Sequence, residues 1–310
     1  MQDTAITVAV VIPAYNEDAN IDRTACQVLR EPWTALLSLS EVVVVDDCST
    51  DRTYEIARAL ACQDARVRVV RHARRSGKNA GIRVAAAACK TDIVVVVDAD
   101  VLLRAGSLYQ TLALLAYDPS AMGASCIIEP LPAQSWRERA SCSQALFVAE
   151  LKRRGHAYLS AVYALRSPAF GALDIPDGVA DDAYVTCWLR AHNYRYHVHS
   201  EASAYIRAAT GLRDFAKQTL RGRHGDAATK RAVAGGSLKA YSRGIVARAL
   251  ARAFVRDPLG FALYVLWYGV ILVTPTRVWL PAVSLSTFDT ARSTKDLDLV
   301  GDLALQLGDL

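Results

Sequence analysis

The chain has 310 residues, enough for one large α/β domain with an appendage or for two domains. Its 36 Lys and Arg residues against 31 Asp and Glu give a formal net charge of +5, too mild to predict a nucleic-acid partner without a clustered basic patch. Seven scattered Cys residues form no C-x-x-C pair, so neither a zinc site nor a disulfide framework is indicated and a reducing cytoplasm is the simplest compartment.

Apolar strands and helices alternate from residue 6 onward. Predicted strands cover 6–12, 41–45, 67–70 and 94–97, with helices between them. Alternation at this spacing predicts an α/β fold with a mainly parallel, doubly wound sheet flanked by helices. The four consecutive Val residues at 94–97 have no polar alternation, which is typical of a strand buried on both faces.

Polar clusters follow three of these strands. They are Tyr15 to Glu17, Asp46-Asp47 and Asp98-Ala99-Asp100. Ligands bind beyond the carboxyl ends of strands in open α/β sheets, so the three clusters together predict a ligand site at one edge. Asp98 and Asp100 are two residues apart and project to the same side of an extended chain, where they would suit a divalent cation and, through it, a diphosphate.

The chain continues with a predicted helix over 108–115, a strand over 121–128 and an amphipathic helix over 134–154. The amphipathic helix could lie on the sheet or touch a membrane surface. Strands are predicted over 161–166 and 194–199.

The composition shifts past Gly236. An Arg- and Ala-rich helix over 242–256 precedes 259–273, a charge-free run of about 15 residues, shorter than the roughly 20 that span a bilayer. A single span, an interfacial hairpin and a helix packed on the preceding domain are all compatible with this run, and we expect membrane association. We therefore divide the chain into an α/β domain (1–235), a basic and apolar helical membrane-associating segment (236–283) and a polar acidic tail (284–310).

Four stretches carry a resemblance to a known family. VVIPAYNEDANI, EVVVVDDCSTDRT, the loop R-x-x-R-R-S-G-K-N-A and DIVVVVDADV resemble, in this order and at this spacing, the signatures of the family 2 glycosyltransferases, which have the GT-A fold. The match is close over about the first hundred residues and continues more weakly to about residue 225.

The resemblance implies a nucleoside diphosphate sugar donor and a Mn²⁺ or Mg²⁺ ion held by Asp100 and Asp98. The first loop would line the nucleoside pocket, and Asp46 or Asp47 would accept from the base, with Asp47 favoured. Lys78 would place a charge near the phosphates or remain a solvated loop cation. The implied donor-binding residues are Pro13, Tyr15, Glu17, Asp46, Asp47, Lys78, Asp98, Asp100, Arg221 and Arg223.

The resemblance also assigns a general base, Asp182, the second acid of the Asp181-Asp182 pair. One carboxylate deprotonates the acceptor hydroxyl during in-line attack on the anomeric carbon, while the metal stabilises the departing diphosphate. The alternative is that the pair only stabilises a helix N-terminus.

Membrane-associated relatives carry Q-x-x-R-W in the region of 215–225. Gln218-x-x-Arg221 keeps the spacing but is followed by Gly222; in the other register Arg223-His224 occupies the Arg-Trp positions. The Trp is missing in both registers, which favours addition of a single sugar over processive polymerisation.

We therefore predict a metal-dependent, inverting glycosyltransferase with a lipid or glycan acceptor, in the cytoplasm at the inner face of the cell membrane and without a nucleic-acid partner. A nucleotidyltransferase is one alternative, although it would usually carry a Gly-rich, basic loop after the first strand, where this chain has PAYNE. A non-catalytic sugar-nucleotide-binding protein is the other, and it predicts that Asp182 is dispensable.

Overall fold

The computed structural model describes residues 5–153, 158–233 and 241–279, and these residues contain one eight-stranded sheet flanked by helices. The strands are β1 (Ile6–Ala14), β2 (Leu37–Asp46), β3 (Val67–Arg71), β4 (Ile93–Val97), β5 (Val101–Leu103), β6 (Ala121–Pro130), β7 (Val162–Arg166) and β8 (Arg195–Ile206). The helices are α1 (Ile21–Leu29), α2 (Thr53–Gln63), α3 (Lys78–Ala88), α4 (Ser107–Tyr117), α5 (Glu138–Arg153), α6 (Ser167–Gly171), α7 (Asp181–Ala191), α8 (Leu212–Ala232), α9 (Arg243–Arg256), α10 (Pro258–Val273) and α11 (Thr276–Trp279).

The strand order is β3-β2-β1-β4-β7-β6-β8-β5. The four strands β3, β2, β1 and β4 are parallel to their neighbours, as the strand–helix alternation predicts. β7 runs antiparallel to both β4 and β6, and β5 runs antiparallel to β8, so the sheet is mixed beyond β4. The parallel half therefore ends at β4, the strand that leads into Asp98 and Asp100.

β4 is buried on both faces, which confirms the interpretation of its Val run. Val95 and Val97 point into a core covered by α1, α2 and α4, whereas Val94 and Val96 point into a second core covered by α3, α6 and α7. Because every side chain of the strand packs against a helix, the end of β4 is held in place from both sides.

Two strands are longer than the sequence indicates. β2 begins at Leu37, where Leu37 and Leu39 alternate with more exposed Ser residues, and β8 continues to Ile206. The predicted helix over 134–154 begins only at Glu138. These differences lie away from the polar clusters and do not change their placement.

α9 and α10 pack against α5. Asp257 caps α10 by accepting from the Gly260 N–H at 3.0 Å, and Arg139 of α5 donates to the same carboxylate, with 2.9 Å between Nε and Oδ2. A Cβ on Gly260 would lie 2.7 Å from Ser143 Oγ and 2.8 Å from the Arg139 carbonyl oxygen, so this contact requires glycine. α10 is thus fixed to the α/β unit at its first turn.

None of the helices in the described ranges is both long enough and apolar enough to cross a bilayer. The predicted polar tail, 284–310, lies outside the described residues.

Candidate active site

A cleft of about 440 Å³ opens at the edge of the sheet where β1, β2 and β4 end. The three polar clusters converge there, as expected for carboxyl ends of neighbouring parallel strands. The predicted site residues that line it are Pro13, Tyr15, Glu17, Asp47, Lys78, Asp98, Asp100, Asp182 and Arg221. Asp46 and Arg223 are the two that do not line it.

Asp46 and Asp47 close β2 but face different surroundings. The Asp46 side chain is fully buried, accepts from the Ser49 N–H at 3.2 Å and pairs with Arg71, with 3.1 Å between Nε and Oδ2. Asp46 therefore stabilises the structure behind the cleft, and of the two acids that the sequence left open, only Asp47 reaches the cavity wall.

Asp47 anchors the basic loop after β3. Its carboxylate accepts from the Ser76 N–H at 2.7 Å and the Gly77 N–H at 2.8 Å, and it lies 2.8 Å from His72 Nδ1. Gly77 has a φ of 90°, a backbone conformation that side chains disfavour, so glycine is needed where the loop turns toward Asp47. The carboxylate thus fixes the position of the residue before Lys78.

The loop after β1 contributes an aromatic ring and a held carboxylate. The Arg75 guanidinium lies 3.8 Å from the centre of the Tyr15 ring, within cation–π range. Glu17 is buried, its backbone N–H donates to Thr53 Oγ1 at 2.7 Å, and its Oε2 accepts from Asn20. The ring and the guanidinium form one wall of the cleft, beside Asp47.

Lys78 bridges the two sides of the cleft. Its Nζ lies 2.6 Å from Asp98 Oδ1 and 3.0 Å from Asp181 Oδ1, so one cation joins the acid after β4 to the acid that starts α7. Burial disfavours the charge on Lys78, but Asp181 and Asp98 outweigh it and raise the pKa overall. The Lys78 charge is therefore maintained by the acids on either side.

Burial raises the pKa of Asp98 to about 7, although Lys78 acts in the opposite direction. Asp181 and Asp100 add to the rise because their negative charges are close. An additional positive charge at this point would offset the repulsion among the acids.

The donor set at Asp98 and Asp100 fits a hard divalent cation. Both carboxylates line the same cleft, and Mn²⁺ and Mg²⁺ prefer such oxygen ligands. Within the described ranges, no group of three or more His, Cys, Asp or Glu side chains is arranged to hold a metal ion. A cation bound by these two acids would therefore depend on oxygen atoms from a ligand such as a diphosphate.

Asp182 lies in the first turn of α7, directly after Asp181, and lines the same cleft as Asp98. Its Oδ1 accepts from the Ala183 N–H at 2.8 Å. Burial raises the pKa of Asp182, and the neighbouring Asp181 raises it further. Asp181 differs because it is held by Lys78 and by the Tyr163 hydroxyl, which donates to Oδ2 at 3.2 Å. The positive charges of Lys152 and Lys78 act in the opposite direction on the pKa of Asp182, but burial outweighs them.

α8 lines the cleft with one face. Gln218, Arg221, Gly222 and Gly225 lie at positions i, i+3, i+4 and i+7 and share this face. Both Gln218 and Arg221 therefore reach the cleft, whereas Arg223 does not. A Cβ on Gly225 would lie 2.9 Å from the Ala180 Cβ, so glycine lets α8 approach the start of α7 closely. Arg223 is exposed and outside the cleft lining.

Several residues that line the cleft were not among the predicted site residues. His224 lines the cleft, and its Nδ1 lies 2.8 Å from the Leu220 carbonyl oxygen. A carbonyl only accepts, so Nδ1 donates and the Nε2 of a neutral ring is left as an acceptor. The spacing of small residues at 222 and 225 is a signal that would have placed this face of α8 against α7. Arg75, Gln218 and Asp181 also line the site.

The fold is shared with solved sugar-nucleotide transferases. A mannosyltransferase from Pyrobaculum calidifontis in complex with GDP-Man and Mn²⁺ aligns with a TM-score of 0.58 at 22% identity, covering 89% of this chain and 83% of the other. Glucosyl-3-phosphoglycerate synthase from Mycobacterium tuberculosis, in complex with Mn²⁺, UDP-glucose and phosphoglyceric acid, aligns with a TM-score of 0.54 at 20% identity, covering 75% and 81%. The mixed α/β sheet is therefore a GT-A fold.

The sequence comparisons identify the family. Residues 9–161 match the model of glycosyl transferase family 2, and the chain belongs to the family 2 glycosyltransferases. The chain is 33% identical over 110 residues to the glycosyltransferase GlyG of Streptococcus pneumoniae, covering 33% of this chain and 34% of that protein. It is 39% identical over 98 residues to an undecaprenyl-phosphate 4-deoxy-4-formamido-L-arabinose transferase of Pseudomonas aeruginosa, covering 30% and 27%. The match thus spans about a third or less of these relatives.

Proposed function

We propose that this protein is an inverting glycosyltransferase that moves one sugar from a nucleoside diphosphate sugar to an acceptor hydroxyl. The observation that carries the proposal is that Asp98 and Asp100 face the same cleft as Asp182, with Lys78 between the two sides. A donor diphosphate held at Asp98 and Asp100 would place its sugar in the cleft that Asp182 also lines.

The donor half of the cleft supports this proposal through its chemistry. Tyr15 offers a ring beside the nucleoside, and the Asp47 carboxylate could accept from a base N–H in addition to its loop contacts. Pro13 and Glu17 complete the wall. A Mn²⁺ or Mg²⁺ ion held by Asp98 and Asp100 would neutralise charge on the diphosphate leaving group.

Transfer then needs one base. Asp182, as a carboxylate, takes the proton of the acceptor hydroxyl; the hydroxyl oxygen forms the new bond to the anomeric carbon while the bond to the diphosphate oxygen breaks. Attack from the opposite face inverts the anomeric configuration, and the raised pKa of Asp182 makes it a stronger base than an exposed Asp. Arg221, which also lines the cleft, could neutralise the departing diphosphate.

The acceptor is proposed to be a lipid or lipid-linked glycan at the cytoplasmic membrane face. One matched relative is an undecaprenyl-phosphate sugar transferase, and another is a dolichol-phosphate mannosyltransferase from Pyrococcus furiosus, 36% identical over 94 residues. The absence of a Trp after Gln218-x-x-Arg221 supports addition of a single sugar rather than polymerisation.

The test is a thermal-shift screen of UDP-, GDP- and dTDP-sugars, with and without Mn²⁺. We expect one donor to raise the melting temperature, with a larger rise in the presence of Mn²⁺, because a ligand of the native state stabilises it. Asp100→Ala should lose the Mn²⁺-dependent part of the shift. Stabilisation by none of the donors, at concentrations far above plausible dissociation constants, would contradict the proposal.

The product distinguishes the alternatives. NMR of the product formed with the identified donor should show the anomeric configuration opposite to that of the donor sugar. Release of pyrophosphate from a nucleoside triphosphate and a sugar phosphate would indicate a nucleotidyltransferase instead, and donor binding without any turnover across lipid and glycan acceptors would favour a binding protein.

A further inference from the structure

The outer side of α10 is an exposed apolar surface. The helix contains no charged residue, and its inner side is buried through Gly260, Trp267 and Ile271. Five outer residues are more than half exposed: Leu259 (53%), Val265 (54%), Leu266 (60%), Leu272 (57%) and Val273 (82%). They recur at helical spacing along one stripe. A helix that is apolar on all sides is normally buried on all sides, so an exposed stripe of this kind points to an interaction site.

The stripe extends onto neighbouring elements. Phe254 and Val255 at the end of α9 are 51% and 77% exposed. Together with the five residues of α10 they form a surface that we call the apolar face. Trp136, 59% exposed, lies three residues before Arg139, whose guanidinium binds the Asp257 cap at the start of α10. An exposed Trp at this end is typical of segments that rest at a membrane–water interface.

The segment that carries most of the apolar face is basic in sequence. Between residues 242 and 279 the sequence has five Arg residues and a single acid, Asp257. Arg252 and Arg256 pair with Glu150 and Glu129, at 3.3 Å and 3.8 Å, yet their side chains stay 63% and 58% exposed. Arginines beside an apolar stripe are complementary to anionic lipid headgroups, whereas two copies of this face would bring like charges together.

The helix can lie on a bilayer but cannot cross one. Its 16 residues extend about 24 Å at 1.5 Å per residue, less than the roughly 30 Å hydrocarbon core. The Arg139–Asp257 pair and the packing of Trp267 against Phe215, with ring centroids 5.5 Å apart, hold its inner side on the protein. Only the outer side of α10 is free to enter a lipid bilayer.

We propose that the apolar face is a monotopic docking surface for an anionic phospholipid bilayer. Leu266 and its neighbours enter the headgroup–acyl boundary, and the arginines of α9 contact the phosphates. This binding needs neither donor, acceptor nor turnover, so it is independent of the proposed transfer reaction and can be tested without it.

The experiment is vesicle flotation of the full chain with two kinds of vesicle, phosphatidylcholine alone and phosphatidylcholine mixed equally with phosphatidylglycerol. We expect binding to the mixed vesicles that weakens as salt is raised. Leu266→Glu should weaken the partition about tenfold or more, since a buried Leu contributes about a factor of ten and the new carboxylate is repelled. Tyr117→Glu, at an exposed apolar residue on α4 (79% exposed), is the matched control and should bind like the parent.

Three outcomes would overturn the proposal. They are a parent protein that does not float with anionic vesicles, a Leu266→Glu variant that floats as well as the parent, and a concentration-dependent dimer that Leu266→Glu abolishes while vesicle binding is absent. The last outcome would assign the face to a second copy of the chain. Val273→Glu, at the most exposed position of the stripe, serves as a second variant if Leu266→Glu fails to fold, judged by its melting temperature.

Discussion

The acid pair at the end of β2 and the acid Asp182 at the start of α7 differ in how their carboxylates are held. On the sheet side, Asp46 pairs with Arg71 and Asp47 accepts two backbone N–H groups, so both carboxylates fix the chain around them. On the α7 side, the hydrogen bond of Asp182 is to the N–H of the next residue, and its pKa is raised by burial. The first arrangement suits a preorganised binding wall, whereas the second leaves a carboxylate able to accept a proton.

The largest expected effect comes from replacing Asp182. Asp182→Asn should lower the transfer rate by roughly 10²- to 10⁴-fold, since general-base catalysis contributes about this factor. Donor affinity should be largely kept, because the proposed contacts to the diphosphate and its metal are made by Asp98 and Asp100 and not by Asp182. Initial rates with the identified donor, together with calorimetric donor binding, check both parts. Asp181→Asn is the control, and a smaller rate loss is expected there; normal turnover by Asp182→Asn would show that the base is another group.

The bridge between the two sides can be broken at Lys78. Lys78→Met leaves Asp98 and Asp181 without their shared cation and should lower the free energy of unfolding by about 1–3 kcal/mol. This expected loss of stability is smaller than the loss for a fully buried ion pair, because the Lys78 side chain is 34% exposed. Since a divalent cation can replace the missing charge, Mn²⁺ should raise the melting temperature of the variant more than that of the parent.

Arg66→Met is a matched control for this experiment, since Arg66 pairs with Asp64 on the surface at 2.7 Å. Its melting temperature and Mn²⁺ response should equal those of the parent. Equal Mn²⁺ responses in Lys78→Met and the parent would mean that the bridge and the metal do not share Asp98.

The sheet side can be tested by separating its two acids. Asp47→Asn places an amide where two backbone N–H groups donate, so one donor loses its acceptor and the basic loop loosens, at a cost of about 1–3 kcal/mol. The KM for the donor should rise because Ser76 and Gly77 line the cleft. Asp46→Asn should lower stability without raising KM, since Asp46 lies behind the wall. A donor KM raised equally by both substitutions would show that stability alone accounts for the effect.

The sequence predicted the sheet side of the molecule well because its signals are local. A β-branched run followed by polar residues indicates both the strand and the position of its end, and this accounts for Tyr15, Asp47, Asp98 and Asp100 in one cleft. The sequence favoured Asp47 over Asp46 without deciding the register, since neighbouring residues in an extended chain point to opposite faces and the register depends on tertiary packing.

The α7 side of the cleft depends on contacts between segments that are far apart in the sequence. The Lys78 bridge joins residues about a hundred positions apart, and no spacing rule indicates it. The antiparallel direction of β7 was not predicted from the sequence. Alternation of strands and helices indicates a parallel sheet only while each connection is a regular crossover between neighbouring parallel strands, and the connection into β7 is not one. The α8 residues that face the cleft could have been predicted from the sequence. The i, i+3, i+4 and i+7 spacing of Gln218, Arg221, Gly222 and Gly225 places all four on one side of the helix.

The smallest expected effect is a pH dependence that reports the environment of Asp182. Its pKa is raised above the unfolded value, so between the two values the folded state binds more protons and stability falls as pH rises. Asp182→Asn removes this cost, and the variant should therefore be more stable than the parent at alkaline pH, with the difference vanishing below the ordinary Asp pKa. The activity of the parent should change with pH in the opposite direction to its stability, because Asp182 must lose its proton to act as the base. Its kcat/KM should therefore fall as the pH is lowered, and the fall should begin at a pH above the usual Asp range. Denaturant unfolding across the pH range, with initial rates at the same values, measures both. A variant less stable than the parent at alkaline pH would show that ionised Asp182 stabilises the fold, and would place it with the held acids of the sheet side.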